Sequence, residues 1–228
     1  MSTVVVEPAP FAVDEPFRKN GEKLRPRDAS TVILLDRRDG TPRFLMGRRG
    51  GGHAFMPDVY VFPGGRRDRH DYTLPFRRDL HPLVIKRLLS RTTARTGATT
   101  ARALALAAIR ELQEETGLAA DAPPDLHYLR YVARAVTPPG NVRRFDTRFF
   151  LLPADEAQLA TDALRQTEEL RDPRWVSFPE LDELNVPRIT LAVLGEVKTM
   201  LETQPSIPYG LPVPYYFMRR GRFVRTEI

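Results

Sequence analysis

Apolar positions along this chain repeat with two different periods. Thr31–Leu35 is a β-branched and leucine run, followed by Asp-Gly and Pro turn signals in Asp36–Pro42 and a second apolar run at Arg43–Gly47. Together they predict a β-hairpin. Val59–Phe62, Tyr128–Ala135, Thr147–Leu152 and Arg174–Val176 predict further strands. Elsewhere the period is helical. Leu80, Leu83, Val84 and Leu88 predict a short amphipathic helix. Ala101, Leu104, Ala105, Ala108 and Leu112 form a stripe that predicts a helix from an N-cap at Thr99 or Thr100 to about Thr116, with Gly117 as its stop. Leu191, Leu194, Val197, Met200 and Leu201 predict a long helix over Thr190–Glu202. Asp155–Arg165 reads as a short helix, Phe178–Leu184 as a helical turn, and Arg220-Gly221 as the tip of a hairpin. Strands and helices alternate irregularly through short links. That favours an α/β fold with a mixed sheet covered by helices over a doubly wound parallel sheet.

With 228 residues, 42% of them hydrophobic, the chain supports one sizeable core. Residues 1–28 read as an extended Pro-rich and charged arm, 29–204 as the domain, and 205–228 as a C-terminal extension. The lack of cysteine excludes disulfides, thiolate metal sites and a cysteine nucleophile. Met1–Pro10 lacks the pattern of a secretory signal and no long apolar stretch predicts a membrane span, so a cytoplasmic protein without a membrane partner is expected. The net charge is +6, much of it in arginine pairs such as Arg48-Arg49 and Arg143-Arg144. Such pairs suit phosphate recognition. No basic stripe is interleaved with aromatics, so nucleic acid is not the expected partner.

The helix ending at Gly117 is electrostatically odd. Glu111, Glu114 and Glu115 stand at i, i+3 and i+4 and share a face. Like charges at i,i+4 cost about 0.2–0.5 kcal/mol, and acids in a last turn oppose the macrodipole. A solvated acidic face is one reading. A site for a hard cation such as Mg²⁺ or Mn²⁺ is the other.

Arg110-Glu111-Leu112-Gln113-Glu114-Glu115-Thr116-Gly117-Leu118 resembles the second half of the Nudix box, and Phe62-Pro63-Gly64-Gly65 resembles its opening. The segment departs from the box in two ways. Residues 66–109 separate the halves, where the family has far fewer, which places a helical insertion at about 68–99. Arg102 stands where the family carries a glutamate, while Asp71 lies six residues after Gly65. Phe44–Arg49, Phe55–Gly65 and Arg143–Phe150 resemble the Nudix branch that includes the peroxisomal coenzyme A diphosphatase.

The resemblance implies a Nudix-type α/β/α sandwich and a metal-dependent hydrolase acting on a small diphosphate, with coenzyme A or acyl-coenzyme A favoured. ADP-ribose, a dinucleotide or a damaged nucleotide are alternatives, as is a Nudix-fold binding module without catalysis. It implies Glu111, Glu114 and Glu115 as ligands of Mg²⁺ or Mn²⁺. Arg110 would orient a glutamate, and Glu169, before the Trp175 strand, or Glu115 would be the general base. Gly64 and Gly65 would turn beside the helix, and Arg48, Arg49, Arg143 and Arg144 would contact phosphate. Phe55 and Tyr60 are candidates for stacking on a base. A homodimer stays open.

Overall fold

The computed structural model describes residues 3–5, 24–50, 58–93, 96–118, 122–159 and 163–228. Among them ten strands form one mixed sheet: β1 (Val4–Val5), β2 (Arg27–Asp36), β3 (Arg43–Arg49), β4 (Tyr60–Val61), β5 (Gly64–Arg66), β6 (Arg130–Val136), β7 (Phe145–Pro153), β8 (Leu170–Ser177), β9 (Pro214–Arg219) and β10 (Arg222–Glu227). The main order is β1-β10-β9-β6-β7-β2-β3-β4, with β5 on β2 and β8 on β3. β2 runs parallel to β7, and β6 parallel to β9.

β2 organises the site. One edge pairs with β7 along nearly its whole length, from Arg27↔Phe145 to Leu35↔Pro153. The other edge is shared. Leu35 and Asp36 pair with β3, while Ala29, Ser30 and Thr31 pair with β5. The sheet therefore forks beside Val32, whose N–H donates to the Pro63 carbonyl at 3.0 Å. β5 lies in that fork, between β2 and a helix.

Strand alternation sorts the core into two layers. Val32 and Leu34 face one cluster, built with α1 (Pro82–Leu89) and α2 (Ala98–Thr116). Ile33 and Leu35 face the other, built with α3 (Arg188–Thr203). The result is an α/β/α sandwich, as the alternation of elements and the Nudix resemblance led one to expect.

Several expectations need correction. α2 begins at Ala98, because the Gly97 carbonyl already accepts from Thr100 and Ala101; the N-cap is Gly97, not Thr99 or Thr100. Its end is as read: Gly117 takes φ 72° and donates to Gln113. Among the described residues of 155–165 there is only turn and irregular backbone, after a β7 that continues to Pro153. In α3, Leu191 points outward at 41% exposure and Thr190 and Val193 are buried instead. The segment set apart as an extension is part of the sheet, since β9 pairs with β6 and β10 with β9. Strand β2 starts inside the supposed arm, at Arg27. The stretch expected to be an insertion is equally integrated. Val84 and Leu88 of α1 enter the α2 layer, and Arg87 donates to the Gly210 carbonyl at 2.9 Å. No helix among the described residues is long and apolar enough to cross a membrane.

Candidate active site

The last two turns of α2 lie against β5, and two glycines make the approach possible. A Cβ on Gly65 would sit 2.3 Å from Glu111 Oε1, and one on Gly64 would sit 2.2 Å from Thr31 Oγ1 and 2.7 Å from the Ser30 carbonyl. Neither glycine has positive φ. Their role is close packing within a strand rather than the tight turn expected from the sequence. The Gly64 N–H donates to Glu115 Oε2 at 3.1 Å, fixing one carboxylate to the sheet.

Arg110 locks the preceding turn. It donates to Asp71 Oδ1 at 2.8 Å, to Glu111 Oε1 and Glu114 Oε2 at 2.9 Å each, and to the Arg66 carbonyl at 3.1 Å. Asp71 is wholly buried. It comes from the start of the supposed insertion, so the acid that Arg102 fails to supply arrives from before the inserted helix. Arg102 instead pairs with Asp79 at 2.8 Å.

A third carboxylate comes from the segment entering β8. Gly50 donates to the Glu169 carbonyl at 3.0 Å, and a Cβ on Gly50 would meet the Glu168 carbonyl at 2.1 Å. Thr167 Oγ1 donates to the Glu115 carbonyl at 3.2 Å. β3 and the end of α2 thus hold this segment from both sides. The outcome is a trio: ligand oxygens of Glu111, Glu115 and Glu169 all lie within 4.8 Å of one another. Glu114 is outside the trio and 59% exposed, with its carboxylate held by Arg110.

These acids are costly to place together. Burial pushes Glu115 up to about 8; the Gly64 N–H works against this, Glu111 adds to it, Arg49 opposes it, and Glu169 adds to it. Burial also raises Glu111, against the lowering effect of Arg110. Three convergent carboxylates, two of them raised by burial, form a donor set that fits a hard divalent ion.

The trio lines a cleft of about 830 Å³ between β2, β5, the β6–β7 connection and the start of α3. Arg49, Arg143 and Arg144 line it too. Burial lowers Arg49, while Glu115 and Glu169 pull it back up. Arg144 is also structural, donating to the carbonyls of Thr137 and Leu24. Arg48 is exposed and does not line the cleft, as expected for the residue next to Arg49 on a strand. Phe55 lies outside the described residues. Tyr60 is buried, with its hydroxyl donating to Asp172, so it is not a stacking surface here. Sequence reasoning missed Arg25, Arg27 and Arg66, which also line the cleft. The alternation Arg25-x-Arg27-x-Ala29-x-Thr31 was the available signal, since it puts all four on one side of an extended segment.

Comparison with known proteins bears on the fold. Residues 98–192 match the NUDIX domain. The match starts at the first residue of α2, past the separated Phe62–Gly65 half. A NUDIX hydrolase from Alicyclobacillus acidocaldarius is 24% identical, with a TM-score of 0.58, over 81% of this chain and 98% of its own. The NUDIX domain of Shewanella oneidensis NrtR, solved in complex with ADP ribose, is 12% identical, with a TM-score of 0.50, over 78% and 90%. RenU, a Nudix hydrolase from M. smegmatis, is 15% identical, with a TM-score of 0.50, over 85% and 98%. The shared feature is the Nudix fold. Among curated proteins, none matches the chain in sequence.

Proposed function

We propose that this chain is a divalent-metal-dependent hydrolase that splits the P–O–P link of a nucleoside-diphosphate derivative, with coenzyme A or acyl-coenzyme A as the favoured substrate. The observation that carries the reading is the Glu111–Glu115–Glu169 trio on the wall of an arginine-lined cleft. The NUDIX match over 98–192 supports it by covering Glu111, Glu115 and Glu169 together.

Glu111, Glu115 and Glu169 would hold Mg²⁺ or Mn²⁺. Such an ion supplies Lewis acidity that offsets the charge of a diphosphate and acidifies water. Arg49 and Arg143 bind phosphate oxygens of the substrate. Glu169 is the exposed member of the trio, open to water from the cleft. Its carboxylate accepts the proton of a water attacking phosphorus, the P–O–P bond breaks, and the bridging oxygen leaves with one product. Arg110 holds Glu111 through its Nη1 and takes no part in the bond changes.

A specific comparison favours a second substrate. The NrtR NUDIX domain was solved with ADP ribose. Mass-spectrometric product analysis with Mg²⁺ or Mn²⁺ separates the two. Release of 3′,5′-ADP and a phosphopantetheine from coenzyme A supports the favoured substrate, whereas turnover of ADP-ribose alone replaces it. Ligand binding without hydrolysis of any diphosphate would make the chain a binding module.

A further inference from the structure

Two conspicuous charges in the cleft, Arg25 and Arg27, have no task in breaking the diphosphate. Arg25 and Arg27 line the cleft together with Arg143 of the β6–β7 connection, which is near enough to Arg49 to act on it electrostatically. Among the described residues, no carboxylate pairs with the side chain of Arg25, Arg27 or Arg143. Arg27 pairs in register with Phe145, and its N–H donates to the Arg144 carbonyl at 2.9 Å, so β2 brings it beside the connection that carries Arg143. Thr31, which pairs with Gly64 beside Glu115, is four residues further along β2. At a strand rise of about 3.3 Å per residue, Arg27 lies roughly 13 Å from that point.

This end of the sheet is also fixed from behind. Asp28 and Asp146, on the opposite face, are linked by Arg148 Nη1 at 2.8 and 3.2 Å, and Arg134 adds a bidentate pair to Asp146 at 2.8 and 2.7 Å. From the other edge, Arg67 reaches Asp28 at 3.1 Å. Arg144 ties Leu24, the neighbour of Arg25, to Thr137. The backbone that presents the arginines is therefore held on both sides, which lowers the cost of binding a ligand there.

We propose that Arg25 and Arg27, with Arg143 beside them, form a second anion subsite that takes a phosphomonoester carried by the nucleoside part of the substrate, separate from the diphosphate that is cleaved. The proposal rests on the diphosphate-hydrolase reading for its place in the reaction but not for the binding itself. Arginine forks suit a terminal phosphate, which offers three oxygens and up to two charges. Substrates with such a group, coenzyme A among them, are then preferred over counterparts without it.

The test uses two ligand pairs that differ by one monoester. Calorimetry on the full chain compares 3′,5′-ADP with AMP, and kinetics compare coenzyme A with 3′-dephospho-coenzyme A. The wild type is expected to favour the monoester member about tenfold or more, the scale of one charge-assisted contact. Arg27→Gln combined with Arg25→Gln is expected to remove most of that ratio, and Arg27→Lys to retain more of it than Arg27→Gln. Equal affinity for 3′,5′-ADP and AMP in the wild type, or a ratio that survives the double substitution, overturns the subsite. A binding preference that the substitutions erase, in a protein that hydrolyses neither coenzyme A nor ADP-ribose, upholds the subsite and sinks the hydrolase reading instead.

Discussion

Two groups of acids are treated in opposite ways. Behind Arg27, Asp28 and Asp146 are interleaved with Arg67, Arg148 and Arg134, so each of the two acids has a base against it. In the cleft, Glu111, Glu115 and Glu169 converge on one another; Arg110 holds Glu111 and Glu114, while Glu115 accepts from the Gly64 N–H and is acted on by Arg49. The first arrangement completes itself. In the second, acid faces acid, a donor set that would suit a divalent cation. The same chemical group thus builds structure where bases interleave it, and a candidate site where acids converge.

The strongest way to break this contrast is Glu115→Gln. The substitution keeps the shape and the Gly64 contact but removes a charge from the donor set. Turnover should fall about 10³-fold, the equivalent of several kcal/mol of electrostatic stabilisation. Thermal unfolding with a chelator present should show a metal-free variant no less stable than the wild type. Activity within tenfold of the wild type would remove the trio from the chemistry.

In the interleaved group, Asp146→Ala should act in reverse. It strips the partner from Arg134 and half the support from Arg148, whose side chains are 7% and 4% exposed. Leaving buried charges unpaired costs about 3 kcal/mol, or roughly 6–12 °C in Tm at this size. Metal affinity measured by calorimetry should stay where it was. A variant that loses metal binding but not stability would mean that the two groups are not separate devices.

The two glycines of β5 sharpen the comparison on a finer scale. A methyl on Gly64 meets the Thr31 side chain and the Ser30 backbone, which cannot easily yield, so Gly64→Ala should cost about 1–3 kcal/mol. A methyl on Gly65 meets only the end of the Glu111 side chain, which can swing away. Gly65→Ala should therefore cost less than about 1 kcal/mol in stability while weakening metal binding about tenfold. Equal losses of stability in both variants would contradict this division of labour.

How much of this was legible in the chain depends on how local each signal was. The alternation Val32-Ile33-Leu34-Leu35 and the α2 stripe belong to single elements, and both layers follow from them. The spacing of Glu111 and Glu115 likewise marked one helix face. What the pattern could not carry were partnerships between distant segments. Asp71 reaches Arg110 across 39 positions, and Glu169 joins the trio only because Gly50 and Thr167 hold its segment. Glu114 shows the converse: it has the right spacing on the helix, but Arg110 occupies its carboxylate. Within residues 205–228 the hairpin tip at Arg220-Gly221 was legible, but the place of that hairpin in the sheet was set by pairing with β6.

The comparison also predicts how stability depends on pH. Burial raises Glu115 to about 8, while the unfolded chain releases that proton near the ordinary glutamate value of 4.5. Between those limits the folded, metal-free protein binds more protons than the unfolded one, so its stability falls as pH rises. The loss is complete above about pH 8, and its slope is at most about 1.4 kcal/mol per pH unit for one group. Glu111, also raised, adds in the same direction. Unfolding in chelator from pH 5 to 9 should therefore show a declining Tm, and Glu115→Gln should flatten the decline relative to the wild type. Saturating Mg²⁺ should oppose the decline, because the ion competes with the proton for the same oxygens and is bound more tightly as pH rises. Matching pH slopes for the wild type and Glu115→Gln in chelator would show that the Glu115 carboxylate is already compensated within the chain, as Asp28 and Asp146 are.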